Sequence, residues 1–286
     1  MEKEEIDLMI AENQIAFDLD GGENVLEETT LFSKPLLKPK NNDWIKEEVL
    51  FVGVKCNHFN ISSDFSNMLL CGKKMIDWIM LAGRNCESII VNDGEDLIDR
   101  LIRLNTDKKI IAVFYSDTPL LDKVTFEHIC NYFSSHACNY LKLNRGFLVR
   151  SDFLKFSTQF VQGNNFLQEK NLYVVENSKD LNFVANALYN KILNYHISNG
   201  VIIYGQNTVF IDGDVEIESG VIIEPNNIIS GQSIIEKDCV IESGNIIKNS
   251  IIGQNCRLKS SYIENSKISN GTVVEPYSKI INEEIK

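Results

Sequence analysis

The stretch IDGDVEIESGVIIEPNNIISGQSIIEKDCVIESGNII, residues 211–247, carries an isoleucine at every sixth position: Ile211, Ile217, Ile223, Ile229, Ile235, Ile241 and Ile247. A strand alternates with period 2 and a helix with period 3.6, so neither alone demands a period of six. Six residues suit a short strand plus a corner, used once per face of a three-sided solenoid, so that three hexads close one 18-residue coil and residues 18 apart stack. Ile211, Ile229 and Ile247 then form one inward column rising about 4.8 Å per coil. Ile217 over Ile235 and Ile223 over Ile241 fill the other two sides. Each buried isoleucine contributes about 1.5–3 kcal/mol relative to exposure. The residue four places on is small or medium (Val215, Val221, Asn227, Ser233, Cys239, Asn245), and Asn227 and Asn245, 18 apart, are expected to stack as an amide pair. Beyond Ile247 the isoleucine-type positions fall at Ile252, Leu258, Ile263, Ile268, Val274 and Ile280, with some steps of five, so the coil is expected to be locally irregular there. An antiparallel meander would need turn signals every 8–12 residues and would not hold one phase over seven repeats.

The rest of the chain reads differently. Its 286 residues fit two domains. Formal net charge is −12, but residues 1–30 hold ten Asp or Glu against the single Lys3, so the acid belongs to an N-terminal arm, residues 1–45, rather than to the domains. From residue 46 to 180 apolar runs alternate with amphipathic ones: EVLFVGV, MIDWIMLAG, SIIV, LIDRLIRL, IIAVFY, KVTFEHICNYF, GFLV and LYVV. Strands alternating with helices imply a Rossmann-like, mostly parallel sheet. Leu181, Val184, Leu188, Ile192 and Tyr195 sit at helical spacing before Asn199-Gly200, which predicts a connecting helix over 181–200 into a solenoid over 201–286.

Seven scattered cysteines without CxxC spacing point to reduced thiols rather than a disulfide framework or zinc site. MEKEEID has the wrong charge for a signal peptide and no run approaches 18 apolar residues, so no membrane insertion and a cytoplasmic location are expected. No basic cluster with interleaved aromatics argues for nucleic acid. His58, His128, His136 and His196 lack ligand or triad spacing; His128 and His136 read as helix-surface residues and His196 as a C-terminal helix cap.

In open parallel sheets ligands sit at the carboxyl ends of strands, so the acid of IIAVFYSDTPLL, Asp117, is a natural metal or phosphate-side group. Its structural alternative is a turn cap beside Ser116 and Thr118. With LLCGKKMIDWIM and the hexads, this motif resembles the family of bacterial bifunctional N-acetylglucosamine-1-phosphate uridyltransferases and glucosamine-1-phosphate acetyltransferases, best over 177–280 and less closely over 69–121. The resemblance implies an α/β nucleotidyltransferase-like domain followed by a left-handed parallel β-helix and a homotrimer formed through it, which would also cover the open end left by INEEIK. It implies a sugar phosphate or nucleotide as ligand and Mg2+ as cofactor. By the same resemblance Asp117 holds the metal, with Glu176 or Asn177 as second ligand. Lys73, Asn144 and Gly146 fall at substrate-contacting positions, the latter two in the segment Lys142-Leu143-Asn144-Arg145-Gly146, where a lysine stands for the family's carboxylate.

The departures bear on activity. Where the family has a glycine-rich loop with an arginine and a Pro-Lys pair to hold a triphosphate, this chain reads VGVKCNHFNISSDFSNMLL, with Gly53 alone, Phe65 or Asn67 near the lysine position, and Lys55 and His58 as the available positive charges. NDGEDLIDRLIRLNTDKK is too short to hold a uracil loop and a further strand, and the chain ends at Lys286, before the family's acetyltransferase site. Three functions follow as expectations: a pyrophosphorylase-lineage protein with weak or absent uridylyl transfer and no acetyltransferase site; a non-catalytic trimeric scaffold or regulatory subunit in envelope precursor synthesis; or an enzyme with a different donor that uses Lys55 or Lys73.

Overall fold

The computed structural model describes residues 42–58, 61–62, 64–94, 96–104, 106–136, 138–156 and 166–285. The expectations for the acidic arm up to residue 41 lie outside the described residues. No helix among them is long and apolar enough to cross a membrane.

The first half is an α/β/α sandwich. After a short helix α1 (Asp43–Glu48), the apolar run VLFVGVK forms β1 (Val49–Lys55), buried along nearly its whole length as the middle of a sheet requires. A two-stranded hairpin, β2 (Leu69–Leu70) and β3 (Lys73–Lys74), leads into α2 (Met75–Met80), then β4 (Glu87–Asn92), α3 (Leu97–Arg103), β5 (Ile110–Tyr115) and α4 (Lys123–Ser135). The sheet closes with β6 (Tyr140–Leu143), β7 (Phe147–Arg150), α5 (Ser151–Phe156) and β8 (Phe166–Leu167). Strand order is β4-β1-β5-β7-β6-β8, and β7 alone runs against the others, so the sheet is mixed but mostly parallel. Helices α1, α2 and α4 cover one face through Ile45, Ile76, Ile79, Phe126 and Ile129, while α3 and α5 cover the other through Leu97, Leu101 and Leu154. Phe114 lies stacked 5.2 Å from Phe51, and Phe126 meets both edge-on, a packing that favours a single arrangement of the core.

Sequence and structure differ at the sheet's far edge. LYVV, expected as a strand, pairs with none; Leu172 and Val175 are buried, and the Val175 N–H donates to the Asp117 carbonyl at 2.9 Å. An apolar run is buried here without a ladder, whereas two short strands that no apolar run announced, β6 and β8, extend the sheet.

Helix α6 (Ser178–Ser198) buries Val184, Leu188, Ile192 and Leu193 and stops at Asn199 and the positive-φ Gly200, as its spacing predicted. His196 corrects the cap expectation. It is 2% exposed, burial alone pulls its imidazole down to about 4, and its Nδ1 has no partner, so it is a neutral core residue and no cation for the helix end. His128 is an exposed α4 residue paired with Glu169, and His136, just past the helix, stacks on Tyr132.

From residue 202 the chain winds into three parallel ladders of five two- or three-residue strands. Ile211, Ile229 and Ile247 pair in register, as do Ile217 with Ile235 and Ile223 with Ile241, so the predicted columns are present. The later short steps do not disturb the ladders: Ile247 pairs with Ile263 and Ile252 with Ile268. The missing residues are absorbed at corners, where Asn249, Ser260, Asn265 and Asn282 take positive φ. Asn is among the non-glycine residues that tolerate this conformation best. The amide pair is also present: Asn227 Oδ1 accepts from Asn245 N at 2.9 Å and Nδ2 at 3.1 Å, and Asn245 Oδ1 in turn accepts from Ser261 N at 3.0 Å. Both asparagines are fully buried, so each bond also prevents an unsatisfied polar group.

Candidate functional site

From β1 the chain passes to β4 on one side of the sheet and then returns to β5 on the other. The carboxyl ends of β1 and β5 therefore diverge, the crevice in which open α/β sheets place ligands. Cys56 and His58 follow β1, and Ser116 and Asp117 follow β5. Asp117 is fully buried. Arg145, from the turn between β6 and β7, grips it in bidentate fashion, Nε to Oδ1 at 3.0 Å and Nη2 to Oδ2 at 2.7 Å. His58 Nε2 lies 3.0 Å from Oδ2, and the His58 ring packs edge-on against buried Phe65. Arg145 in turn lies 4.0 Å over the Tyr115 ring. The floor is hydroxyl-rich: Ser116 Oγ sits 3.1 Å from Cys56 Sγ and 2.8 Å from Ser66 Oγ, and Ser66 donates to the Cys56 carbonyl at 2.7 Å. Burial, reinforced by the Asp117 charge, pushes the Cys56 thiol up to about 11, so it stays protonated.

The residues named from sequence are not gathered here. Of the metal and substrate candidates only Asp117 has its side chain engaged in the crevice, joined there by His58, named from sequence as an available positive charge. Asn177 is the N-cap of α6, its Oδ1 accepting from Lys179 N at 2.8 Å and Asp180 N at 3.1 Å, and Glu176 is exposed, its N–H donating to Asp180 at 3.1 Å. Asn144 spends its amide on the 169–172 turn, donating to the Leu172 carbonyl at 2.6 Å. Gly146 has φ +105°, and a Cβ there would stand 2.2 Å from the Val113 carbonyl oxygen, which explains its glycine by backbone packing alone. Gly53 is likewise a packing glycine, with Met80 Sδ 2.5 Å from where a Cβ would be. Lys73 points to the solenoid: it pairs with Asp214, Gly72 backs onto Asp212, and Gly213 donates to the Cys71 carbonyl while facing Trp78. The CGKK hairpin is thus the joint between sheet and first coil.

As arranged, these groups do not make a magnesium site. Magnesium wants oxygen donors in octahedral geometry and usually one or two carboxylates plus substrate phosphates, whereas the single carboxylate here is neutralised by a guanidinium and its close neighbours are a thiol and an imidazole. Arg145, Cys56 and the serines were missed from sequence. The legible signal was a Cys-x-His directly after a buried strand, and an arginine inside the Lys-Leu-Asn-Arg-Gly turn.

No family model matches the chain, and no curated protein matches it. Among solved structures, Rv0371c from Mycobacterium tuberculosis H37Rv is similar at 9% identity and TM-score 0.38, over 49% of this chain and 97% of that one. A 4-diphosphocytidyl-2C-methyl-D-erythritol synthase from Anaerococcus prevotii DSM 20548 is similar at 7% identity and TM-score 0.38, over 51% of this chain and 98% of that one.

Proposed function

We propose that this chain is a nucleotidyltransferase-like protein of the UDP-N-acetylglucosamine pyrophosphorylase lineage in which uridylyl transfer is absent or very weak, and whose solenoid gathers three copies into a non-catalytic scaffold or regulatory subunit of envelope precursor synthesis. One observation carries the first half: the switch-point carboxylate, Asp117, is already neutralised by Arg145 from within the chain. A triphosphate's metal would have to compete with a bidentate guanidinium already in place. The other positions at which the resemblance implies metal or substrate contact hold a turn, a helix cap and the solenoid joint instead. Folded protein given magnesium, UTP and N-acetylglucosamine 1-phosphate is expected to release no pyrophosphate; turnover of about 1 s⁻¹ or more, usual for enzymes, contradicts this.

Support for assembly lies on one outer face of the solenoid. Phe210, Ile228 and Ile246 are neighbours on successive coils and remain 45%, 42% and 39% exposed, with Tyr262 next in the ladder. Outward apolar side chains in a straight row, each one coil from the next, match an identical row on a second copy aligned along the same axis; the number three follows from the family resemblance. Light scattering at micromolar concentration is expected to give about three times the 32.5 kDa chain mass, and Ile246→Glu to give the monomer. A monomeric wild-type protein removes the assembly reading.

A further inference from the structure

We propose that the mouth of the crevice is a binding site for a borderline-soft divalent transition metal, zinc foremost, with Cys56 Sγ, His58 Nε2 and Asp117 Oδ2 as ligands. The three donor atoms lie within 4.8 Å of one another, the one such cluster among the described residues. Their chemistry selects the class of ion. Thiolate and imidazole suit zinc and its neighbours in the transition series, while a lone carboxylate is a poor basis for magnesium or calcium.

The distances favour the same ion. His58 Nε2 and Asp117 Oδ2 are 3.0 Å apart, and two such ligands about 2.0–2.1 Å from a tetrahedral zinc stand about 3.3 Å from each other. The metal therefore takes the place of the proton shared by that pair, which need part by only a few tenths of an ångström, while Cys56 Sγ, within 4.8 Å of both, closes to about 3.6 Å, the distance that a thiolate and a nitrogen or oxygen ligand span on one zinc. Arg145 need not leave, because it holds Oδ1 through Nε and the other side of Oδ2 through Nη2. It then fixes the carboxylate from behind, as outer hydrogen bonds do at metal sites. The Asp117 carboxylate and a Cys56 thiolate together oppose the two charges of the cation, and with the Arg145 guanidinium kept on Asp117 the cluster carries one net positive charge. On binding, the Cys56 thiol releases one proton to solvent, and the proton between His58 Nε2 and Asp117 Oδ2 leaves Nε2 while Nδ1 takes one up from solvent, so the imidazole stays neutral and Nε2 is free to ligate. Burial also holds Asp117 and Cys56 in place before the metal arrives, with both below 3% exposure, and His58, 21% exposed at its side chain, is the solvent-facing gate. Three protein ligands leave a fourth position for water, the pattern of an open rather than a closed zinc site.

The test is a cobalt(II) titration of the purified, metal-stripped chain. One equivalent should produce a thiolate-to-cobalt charge-transfer band with the visible bands of tetrahedral cobalt, and zinc should abolish them. Cys56→Ser should remove the charge-transfer band, His58→Gln should weaken binding at least tenfold, and Cys86→Ser, at a distant cysteine, should change neither. Melting curves establish that each variant is folded, and His58→Gln, at a partly exposed position, keeps the proposal testable should Cys56→Ser unfold. Absence of the band in the wild type, or its persistence in Cys56→Ser, overturns the assignment.

Discussion

Replacing Arg145 with alanine is expected to lower the stability of the sheet domain by about 3 kcal/mol, read as the urea midpoint. The physical reason is the asymmetry of buried ion pairs. The pair itself gains little over apolar packing, but removing one partner strands the other charge, at a cost of roughly 3–5 kcal/mol when both are buried. Asp117 is fully buried, while the Arg145 side chain is 31% exposed, which places the expected loss at the lower end of that range. His58 remains on Oδ2 as a single contact and does not replace two guanidinium hydrogen bonds. A double variant, Asp117→Leu with Arg145→Leu, removes both charges together and is expected to recover most of the loss. That recovery separates a structural pair from a catalytic carboxylate. A loss below about 0.5 kcal/mol for Arg145→Ala, the scale of a solvated surface pair, would mean that the pair does not hold the crevice.

Gly146→Ala carries an effect of similar size from a different source. The position lies between β6 and β7 at φ +105°, a conformation costing a side-chain-bearing residue about 1–3 kcal/mol. An added Cβ would also stand 2.2 Å from the carbonyl oxygen of Val113 in β5, and a backbone atom of a central strand has no rotamer by which to give way. Overpacking adds about 1–3 kcal/mol. The expected loss is about 2–6 kcal/mol in all, with Arg145 displaced from Asp117 because Arg145 and Gly146 share one turn. A folded, fully stable Gly146→Ala protein would show that the turn is not the fixed frame from which Arg145 reaches the crevice.

These two residues also show what could be read from the chain and what could not. The solenoid was legible because every coil imposes the same demand 18 residues later, so seven isoleucines in one phase specify the columns that Ile211, Ile229 and Ile247 form. The shortened coils were legible in position but not in consequence, since corner residues such as Asn249 and Asn265 absorb the deletion without moving the strands. Asp117 was legible because a buried apolar strand ends beside it. Arg145 was not: its partner lies 28 residues away, brought there by a reversed strand whose register against β5 has no periodic signature. His196 shows the limit of assigning a role from position, because the last turn of α6 faces the core and leaves a histidine buried where a cation would be expected in solvent.

Under the proposed function Asp117 is an internal anion held by Arg145 and not a magnesium ligand. The most direct measurement is the melting temperature of the wild-type chain with and without saturating magnesium and UTP, beside the same pair of curves for Asp117→Asn. A site occupied at a hundred times its dissociation constant would stabilise the fold by about 2.7 kcal/mol. The prediction is no magnesium-dependent rise in either protein; a rise in the wild type that vanishes in Asp117→Asn would contradict it.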